Sequence, residues 1–339
     1  MQLTLVVPGL LDLPAHTLAA IDGEAPALSR LIASADALTA EEDGLLAAAC
    51  RACGLVRQSD CPVAPRLVRA LGVEPGKSYW LCAEPVSLEV GANDVRLAAV
   101  IDDLSPDDAR TLVDALNAHF AQDRIEVLAP TPSRWFVRAH DVQRLSTRPP
   151  EAAIGAPLFD LLPRGDDSPR WRRWLNESQM ILFEHPVNER RQAQGQLPAN
   201  SLWLWGGGID QRKAGASAPI FGGDARTREL AGASGIKVAP LPASLEALGD
   251  PASAVVWLDP IGGDGATRAL AAIDRAWAAP ASRALDAGSL SLEIVLGART
   301  HAQRCRPQRS TLAQRVRAHF ARPRASVLLL GRARESAAV

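Results

Sequence analysis

The sequence predicts an α/β fold in which a mostly parallel sheet covered by helices carries an inserted α+β domain. Short apolar runs alternate with helical patterns towards both ends of the chain, as in parallel α/β folds, whereas a β-α-β-β succession occupies the middle. The chain has 339 residues, of which 47% are hydrophobic. That length and composition suffice for about two domains with packed cores.

The first elements are a buried strand and two helices. Leu3–Val7 is apolar and partly β-branched, and Pro8 and Gly9 end it in a turn. Loops that follow such strands are where α/β folds place ligands. Helices are predicted over Pro26–Ala33 and Glu41–Leu55.

The middle of the chain has a different order of elements. Val95–Ile101 is strand-like, and Ser105 followed by Pro106 is typical of a helix start. Apolar residues at helical spacing continue this helix to about residue 120. Two strands, Ile125–Ala129 and Trp135–Ala139, complete a small α+β unit.

A loop rich in proline and glycine follows and precedes two more helices. The loop spans 149–169 and is predicted to be exposed. Trp171 and Trp174 share one face of the next helix, and a shorter helix covers Val187–Gln194. Ser201–Trp205 is strand-like and leads into three glycines.

The remaining chain alternates between helices and strands. Further helices are predicted over Arg226–Ala233, Thr267–Ala278 and Ser310–Phe320, and strands over Ile236–Ala239, Val255–Asp259, Leu290–Leu296 and Ser326–Leu330. The predicted division is a core domain of residues 1–86 and 201–339 with an inserted domain of residues 87–200.

Charge and cysteine content narrow the functional classes. The formal net charge is −1, which gives no general basic surface for nucleic acid. No apolar run reaches the ~18 residues that a membrane span requires, and the N-terminal residues lack a signal-peptide pattern, so we expect a cytoplasmic protein without a membrane or nucleic-acid partner.

The odd number of cysteines indicates reduced thiols: Cys50, Cys53, Cys61, Cys82 and Cys305. Core packing is favoured over a zinc site built around Cys50 and Cys53.

One segment resembles a known family. His185-Pro-Val-Asn188, with Arg190, Arg191 and Pro-Ala-Asn200, resembles a stretch of archaeal-type cofactor-independent phosphoglycerate mutases. Weaker similarities lie at residues 5–12 and 259–265. The chain also resembles, over almost its whole length, bacterial RpfE-type regulatory proteins. The resemblance implies an alkaline-phosphatase-like fold with an inserted domain.

The metal motifs of that family are incomplete in this chain. The resemblance places Pro8 where the family has an aspartate, Pro260 where it has a glutamate and Gly263 where it has a histidine. Asp259 and Asp264 remain as residual metal candidates. A two-ion phosphoryl transfer depends on such ligands, so we expect no cofactor, or Mn or Zn if the protein is active. The nucleophile and other catalytic residues stay unassigned.

A ligand site is predicted in the segment that carries the resemblance. His185, Asn188, Arg190, Arg191 and Asn200 are candidates to bind a small phosphorylated or carboxylate ligand. Two alternatives to ligand binding remain. The arginines could lie on a solvated surface, and His185 with Pro186 could serve only to form a kink between two helices. Likewise, the glycines at 206–208 suit either a phosphate loop or a flexible connection.

Three functions are compatible with these observations. The favoured one is a noncatalytic regulatory or ligand-sensing protein on a mutase-like scaffold. The second is an active enzyme whose metal ligands have moved, for example to Asp259, Asp264 and His301. The third is a protein-interaction module that uses exposed Trp203 and Trp205 and the loop 149–169 to bind a partner. The two tryptophans alternate on a strand and share one face, and this pattern favours packing in an interdomain core over such a surface.

Overall fold

A computed structural model describes residues 1–41, 43–91, 94–154, 158–211, 218–309 and 325–336. The chain divides into two compact units, Met1–Cys53 with Ala216–Val339, and Gly54–Gly215. The second unit is therefore inserted in the first. Its limits are wider than the predicted 87–200, because strands at 79–90 and 201–208 belong to its sheet.

The elements of the described residues are as follows. The strands are β1 (Gln2–Val7), β2 (Thr39–Glu41), β3 (Tyr79–Val90), β4 (Val95–Val100), β5 (Ile125–Thr131), β6 (Arg134–Ala139), β7 (Ser201–Gly208), β8 (Ile220–Gly222), β9 (Val238–Ala239), β10 (Ser253–Trp257), β11 (Ser291–Gly297) and β12 (Ala302–Cys305). The α-helices are α1 (Ala15–Glu24), α2 (Pro26–Ala33), α3 (Leu45–Ala52), α4 (Ala64–Ala70), α5 (Pro106–His119), α6 (Ser168–Phe183), α7 (Pro186–Ala193), α8 (Ala225–Ala233), α9 (Leu245–Leu248), α10 (Ala266–Ile273), α11 (Ala279–Ala287) and α12 (Ala325–Ser336). A π-helical turn, Asp274–Ala278, joins α10 to α11.

The first unit is built on a mostly parallel sheet. Its strand order is β2-β12-β11-β1-β10-β8-β9, and β1 lies parallel to both β10 and β11. Among the described strands of this sheet, only the pairings of β12 with β11 and β2 are antiparallel. Leu5, Val256 and Ile294 from the central strands are buried in one hydrophobic cluster with Ile21 and Leu28 of the covering helices. The predicted α/β class is confirmed.

The second unit is an antiparallel sheet with helices packed against it. The long strand β3 pairs with β4, β6 and β7, and β5 pairs with β6, all in antiparallel register. Leu112 and Leu116 of α5 share a buried cluster with Trp135 of β6 and with Trp171 and Trp174 of α6. This arrangement confirms the predicted α+β character of the insertion.

Local capping signals placed some boundaries correctly and missed others. The Ser105 hydroxyl accepts a hydrogen bond from the Asp108 amide at 3.1 Å, which confirms the start of α5 at Pro106. The helix predicted over 41–55 is shorter, because Gly44 has a φ of 59° and separates β2 from α3. The strand predicted over 326–330 is wrong, since those residues lie in α12. The helix predicted over 310–320 falls outside the described residues.

Burial tests two predictions about the surface. Trp203 and Trp205 are only 4% and 0% exposed, which agrees with the favoured packing of these side chains in a core and contradicts the alternative of an exposed partner-binding surface. Within the loop 149–169, Pro150 and Ala152 are buried in a short 3-10 turn, so the loop is not uniformly exposed. All five cysteines are buried thiols, as core packing predicts. No helix among the described residues is both long and apolar enough to cross a bilayer.

Candidate functional site

The segment that carries the family resemblance begins at the junction of α6 and α7. His185 has extended backbone angles and is the N-cap of α7, and its Nδ1 accepts a hydrogen bond from the Val187 amide at 3.2 Å. Pro186 suits the first helical position because it needs no hydrogen-bond acceptor there. Burial and the nearby Arg190 lower the pKa of His185, which favours the neutral ring that can act as this acceptor.

Asn188 is buried and joins two parts of the chain. Its Nδ2 donates to the carbonyl oxygens of Leu182 at 2.7 Å and Ala199 at 3.0 Å. Its Oδ1 accepts from the Ala199 amide at 2.8 Å. The side chain therefore fixes the end of α6 to the residues that lead into β7.

The two arginines of α7 contact acidic residues near the start of α5. Arg191 is buried, and it donates from Nε to the Leu197 carbonyl at 2.9 Å and from Nη2 to Asp103 at 2.5 Å. Arg190 is more exposed and pairs with Asp108. Both guanidinium groups thus have partners within the second unit.

Asn200 extends this set of contacts to the sheet. Its side chain accepts from the Leu88 amide at 2.8 Å and donates to the Leu88 carbonyl at 2.9 Å, which mimics a strand pairing beside β3. The five candidate ligand residues therefore all make hydrogen bonds inside their own unit, and we call this set the 185–200 clamp. The geometry favours a structural role for its buried members, and ligand binding by the clamp stays a prediction.

The triple glycine at the end of β7 contacts a buried carboxylate. The Gly207 amide donates to Asp60 at 3.2 Å, and the Gly206 amide donates to the Thr147 hydroxyl at 2.9 Å. Asp60 also accepts from the Cys61 amide at 2.8 Å and from Thr147. A phosphate loop leaves its amides available to an anion, whereas the Gly206 and Gly207 amides already have acceptors. The phosphate-loop interpretation of this segment is therefore disfavoured.

Tyr79 lies against the same glycines. Its hydroxyl is buried and has no hydrogen-bond partner among the described residues. A Cβ at Gly207 would lie 2.2 Å from this oxygen, so the close approach requires glycine. Burial, with a smaller contribution from Asp60, raises the pKa of Tyr79 well above its usual value. Sequence reasoning missed this cluster, because Asp60, Thr147 and Tyr79 are far apart in the chain.

The residual metal candidates lie beyond the parallel strands of the first unit. Asp259 and Asp264 are exposed, and Asp12 accepts a hydrogen bond from the Arg299 amide at 2.9 Å. Among the described residues, no three histidine, cysteine, aspartate or glutamate side chains are grouped closely enough to hold a metal ion. The side chains that the structure describes therefore do not fit a two-ion centre.

Pro8 and Gly9 have a structural role at the end of β1. The Pro8 carbonyl accepts from the Ile261 amide at 2.9 Å. Gly9 has a φ of 79°, and a Cβ there would lie 2.2 Å from the Ile261 carbonyl oxygen. These contacts hold the loop 259–265 by backbone atoms, without side-chain donors from either residue.

Comparisons with known proteins relate part of the sequence to one enzyme family. A probable 2,3-bisphosphoglycerate-independent phosphoglycerate mutase of Geobacter sulfurreducens is 27% identical over 165 residues, which cover 42% of this chain and 41% of the relative. The corresponding mutase of Methanosarcina mazei is 32% identical over 107 residues, or 31% and 27% of the two chains. The chain is homologous in part to cofactor-independent phosphoglycerate mutases. The matched segments span less than half the length of these relatives.

The other comparisons add little. No family model matches this sequence. The solved cofactor-independent phosphoglycerate mutase of Thermoplasma acidophilum aligns with 91% of this chain and 89% of its own, with 16% identity and a TM-score of 0.39. The fold class rests on the sheet topology described above.

Proposed function

We propose that this protein is a phosphoglycerate-mutase-like protein without mutase turnover, which acts as a regulatory or ligand-sensing protein. The observation that carries the proposal is the absence of a grouped donor set among the described residues. Two-ion catalysis needs several carboxylate or imidazole donors around one cavity, because they hold the ions that stabilise the developing charge.

The contacts at the strand ends support this proposal. Pro8 and Gly263, which the resemblance aligns with an aspartate and a histidine, have no side-chain oxygen or nitrogen. The Asp259 and Asp264 side chains are exposed, and exposed single carboxylates hold divalent ions weakly. The resemblance to RpfE-type regulatory proteins points in the same direction, and an alkaline-phosphatase-like scaffold is compatible with the parallel sheet.

The alternative of an active enzyme makes a different experimental prediction. We propose to incubate the purified protein with 3-phosphoglycerate and Mn²⁺ or Zn²⁺, and to follow 2-phosphoglycerate and free phosphate by ³¹P NMR. The mutase of Methanosarcina mazei provides the positive control. We expect no conversion above the protein-free sample. Conversion that is abolished by a chelator would overturn the proposal and favour relocated ligands such as Asp259, Asp264 and His301.

A further inference from the structure

One face of α6 is buried, and its opposite face carries exposed apolar side chains. Trp171, Trp174 and Leu182 pack in the core of the second unit. Met180 and Phe183 lie on the outer face and are 72% and 71% exposed. A partner molecule therefore reaches both side chains without any rearrangement of the core.

Large exposed apolar side chains are concentrated at this helix. Among the described residues, only Val90 and Phe159 are large apolar residues with greater exposure than Met180 and Phe183. Phe159 lies beside α6, since the guanidinium carbon of Arg172 is 5.9 Å from the centroid of its ring. Single exposed apolar residues are common on protein surfaces, whereas a group of them marks an interaction surface.

The outer face of α6 has the spacing of a helix-pairing surface. Four of its side chains are exposed at intervals of three, four and three residues: Arg173, Asn176, Met180 and Phe183. Alternating intervals of three and four are the a and d spacing of coiled coils, which keeps such residues in one line along the helix. We call these four residues the α6 seam. A line of this kind is suited to contact a second helix along its length.

The two ends of α6 carry opposite charges. Arg170, Arg172 and Arg173 lie in its first two turns, and Glu184 follows its last residue. Arg170 and Arg172 form no ion pair with a residue that the structure describes, and their printed contacts are with carbonyl oxygens and a phenyl ring. The Glu184 carboxylate forms neither an ion pair nor a hydrogen bond with any described residue. Both ends of the helix therefore have a charge available to a partner.

We propose that the partner is a second copy of this chain, whose α6 packs antiparallel against this one along the seam. A two-fold axis near the middle of the seam then places Phe183 against the partner's Arg173, and Met180 against the partner's Asn176. The Glu184 carboxylate lies beside the same arginine of the other copy. The basic end of each helix thus meets the acidic end of the other, and one surface serves both copies, as a two-fold contact requires.

Other occupants fit these charges less well. A parallel pair of α6 helices would set the arginines of both copies side by side. An anionic membrane surface would attract the arginines but repel Glu177 and Glu184, which lie close to the exposed apolar side chains. Antiparallel pairing satisfies both ends of the helix.

The size of the contact sets the expected strength of the dimer. The helix has 16 residues, which makes it about 24 Å long. A contact confined to one helix buries less than the roughly 800 Å² per partner of a standard interface, so we expect a weak and reversible dimer. Self-association requires no turnover, so this proposal and the proposed lack of mutase activity can fail separately.

Sedimentation velocity of the full chain, from micromolar to millimolar concentration, tests the proposal. We expect the sedimentation coefficient to rise with concentration towards that of a dimer. Met180→Glu combined with Phe183→Glu should weaken dimerisation about tenfold or more, because charges then replace the central apolar contacts. Val142→Glu is the control, since Val142 is 61% exposed and lies outside α6. Far-ultraviolet circular dichroism confirms that each variant keeps its fold.

Three results would overturn the proposal. The first is a chain that stays monomeric over the whole concentration range. The second is a dimer that the double variant retains with unchanged affinity. The third is seam-dependent binding to vesicles of anionic phospholipid without self-association, which would assign the α6 seam to a lipid surface.

Charge reversal tests the antiparallel orientation. Arg173→Glu and Glu184→Arg each place like charges together in a dimer of identical variants, so each should dimerise more weakly than wild type. Mixed in equal amounts, the two variants should associate more tightly than either alone, because every reversed charge then meets its complement. The side chain of Arg173 is 79% exposed and Glu184 is exposed, so neither change disturbs the core. A mixture that associates no more tightly than the separate variants would overturn the antiparallel arrangement.

Discussion

Replacing Asn188 distinguishes a structural clamp from a ligand site. Asn188→Ala removes one hydrogen bond to the Leu182 carbonyl and two to the backbone of Ala199. Leu182 and Ala199 are themselves buried, so water does not replace the lost partners. The change therefore leaves polar backbone atoms unsatisfied inside the second unit.

The expected loss of stability follows from these contacts. Each intramolecular hydrogen bond contributes about 1 kcal/mol net, so the free energy of unfolding should fall by about 3 kcal/mol. Asn188→Asp should cost at least as much, because a carboxylate oxygen would face the Leu182 and Ala199 carbonyl oxygens. Asn176→Ala is the control, since Asn176 is exposed on α6, and its effect should lie within about 0.5 kcal/mol.

Urea denaturation followed by tryptophan fluorescence measures this change. Six of the eight tryptophans lie between residues 54 and 215, so the signal reports mainly on the second unit. With slopes of about 1–3 kcal/mol per molar urea, the midpoint should fall by about 1 M or more. If Asn188→Ala unfolds with the wild-type midpoint, the clamp does not depend on these hydrogen bonds, and a ligand role for Asn188 becomes the better explanation.

Three other predictions concern buried groups. Tyr79→Phe should stabilise the protein by about 1 kcal/mol in urea denaturation, because it removes a buried hydroxyl that has no partner among the described residues. The same change should partly restore the stability lost in Gly207→Ala, because the Cβ of the new alanine would clash with the Tyr79 hydroxyl. Asp60→Asn should lower the unfolding free energy by about 2 kcal/mol or more, since the carboxylate accepts from backbone amides, and an unchanged midpoint would contradict this. Burial, with a contribution from Glu293, raises the pKa of Cys305 from 9.0 to about 12. As the pH rises, the thiol therefore loses its proton in the unfolded chain before it does so in the folded protein. The free energy of unfolding should consequently fall between pH 9 and about pH 12. Cys305→Ala should flatten that slope relative to wild type, and equal slopes would show that Cys305 contributes nothing to it.

Local signals in the sequence were sufficient for several elements of the fold. The Ser105-Pro106 start of α5 and the proline at the start of α2 depend on neighbouring residues alone, and both boundaries match the structure. The run Leu3–Val7 is likewise a central strand, because an apolar, β-branched run of that length is typical of a strand buried on both faces.

Elements whose stability depends on distant residues were harder to predict. Glu84 and Pro85 interrupt the pattern of β3, because a charge and a proline disfavour an interior strand. In the structure, Glu84 lies 3.4 Å from Arg134, and the Pro85 carbonyl accepts from the Ile101 amide at 2.8 Å. Residues 326–330 form an apolar run too short for periodicity to separate strand from helix.

The contacts of the candidate site also depend on residues that are distant in the sequence. Adjacent arginines suit an anion, so the sequence predicts Arg190 and Arg191 as ligand residues. In the structure, their partners Asp108 and Asp103 lie 82 and 88 residues earlier in the chain. No local pattern connects residues so far apart.

The position of the family resemblance explains why it carries more information about fold than about activity. The segment 185–200 holds the end of α6, the start of α7 and the approach to β7 together through buried side-chain hydrogen bonds. A protein that keeps this scaffold needs those contacts whether or not it performs chemistry. The resemblance places the family's metal ligands after the parallel strands, where Pro8 and Gly263 have no side-chain donor. The proposed lack of turnover is therefore compatible with a mutase-like scaffold, because the proposal rests on other residues than those that hold the scaffold together.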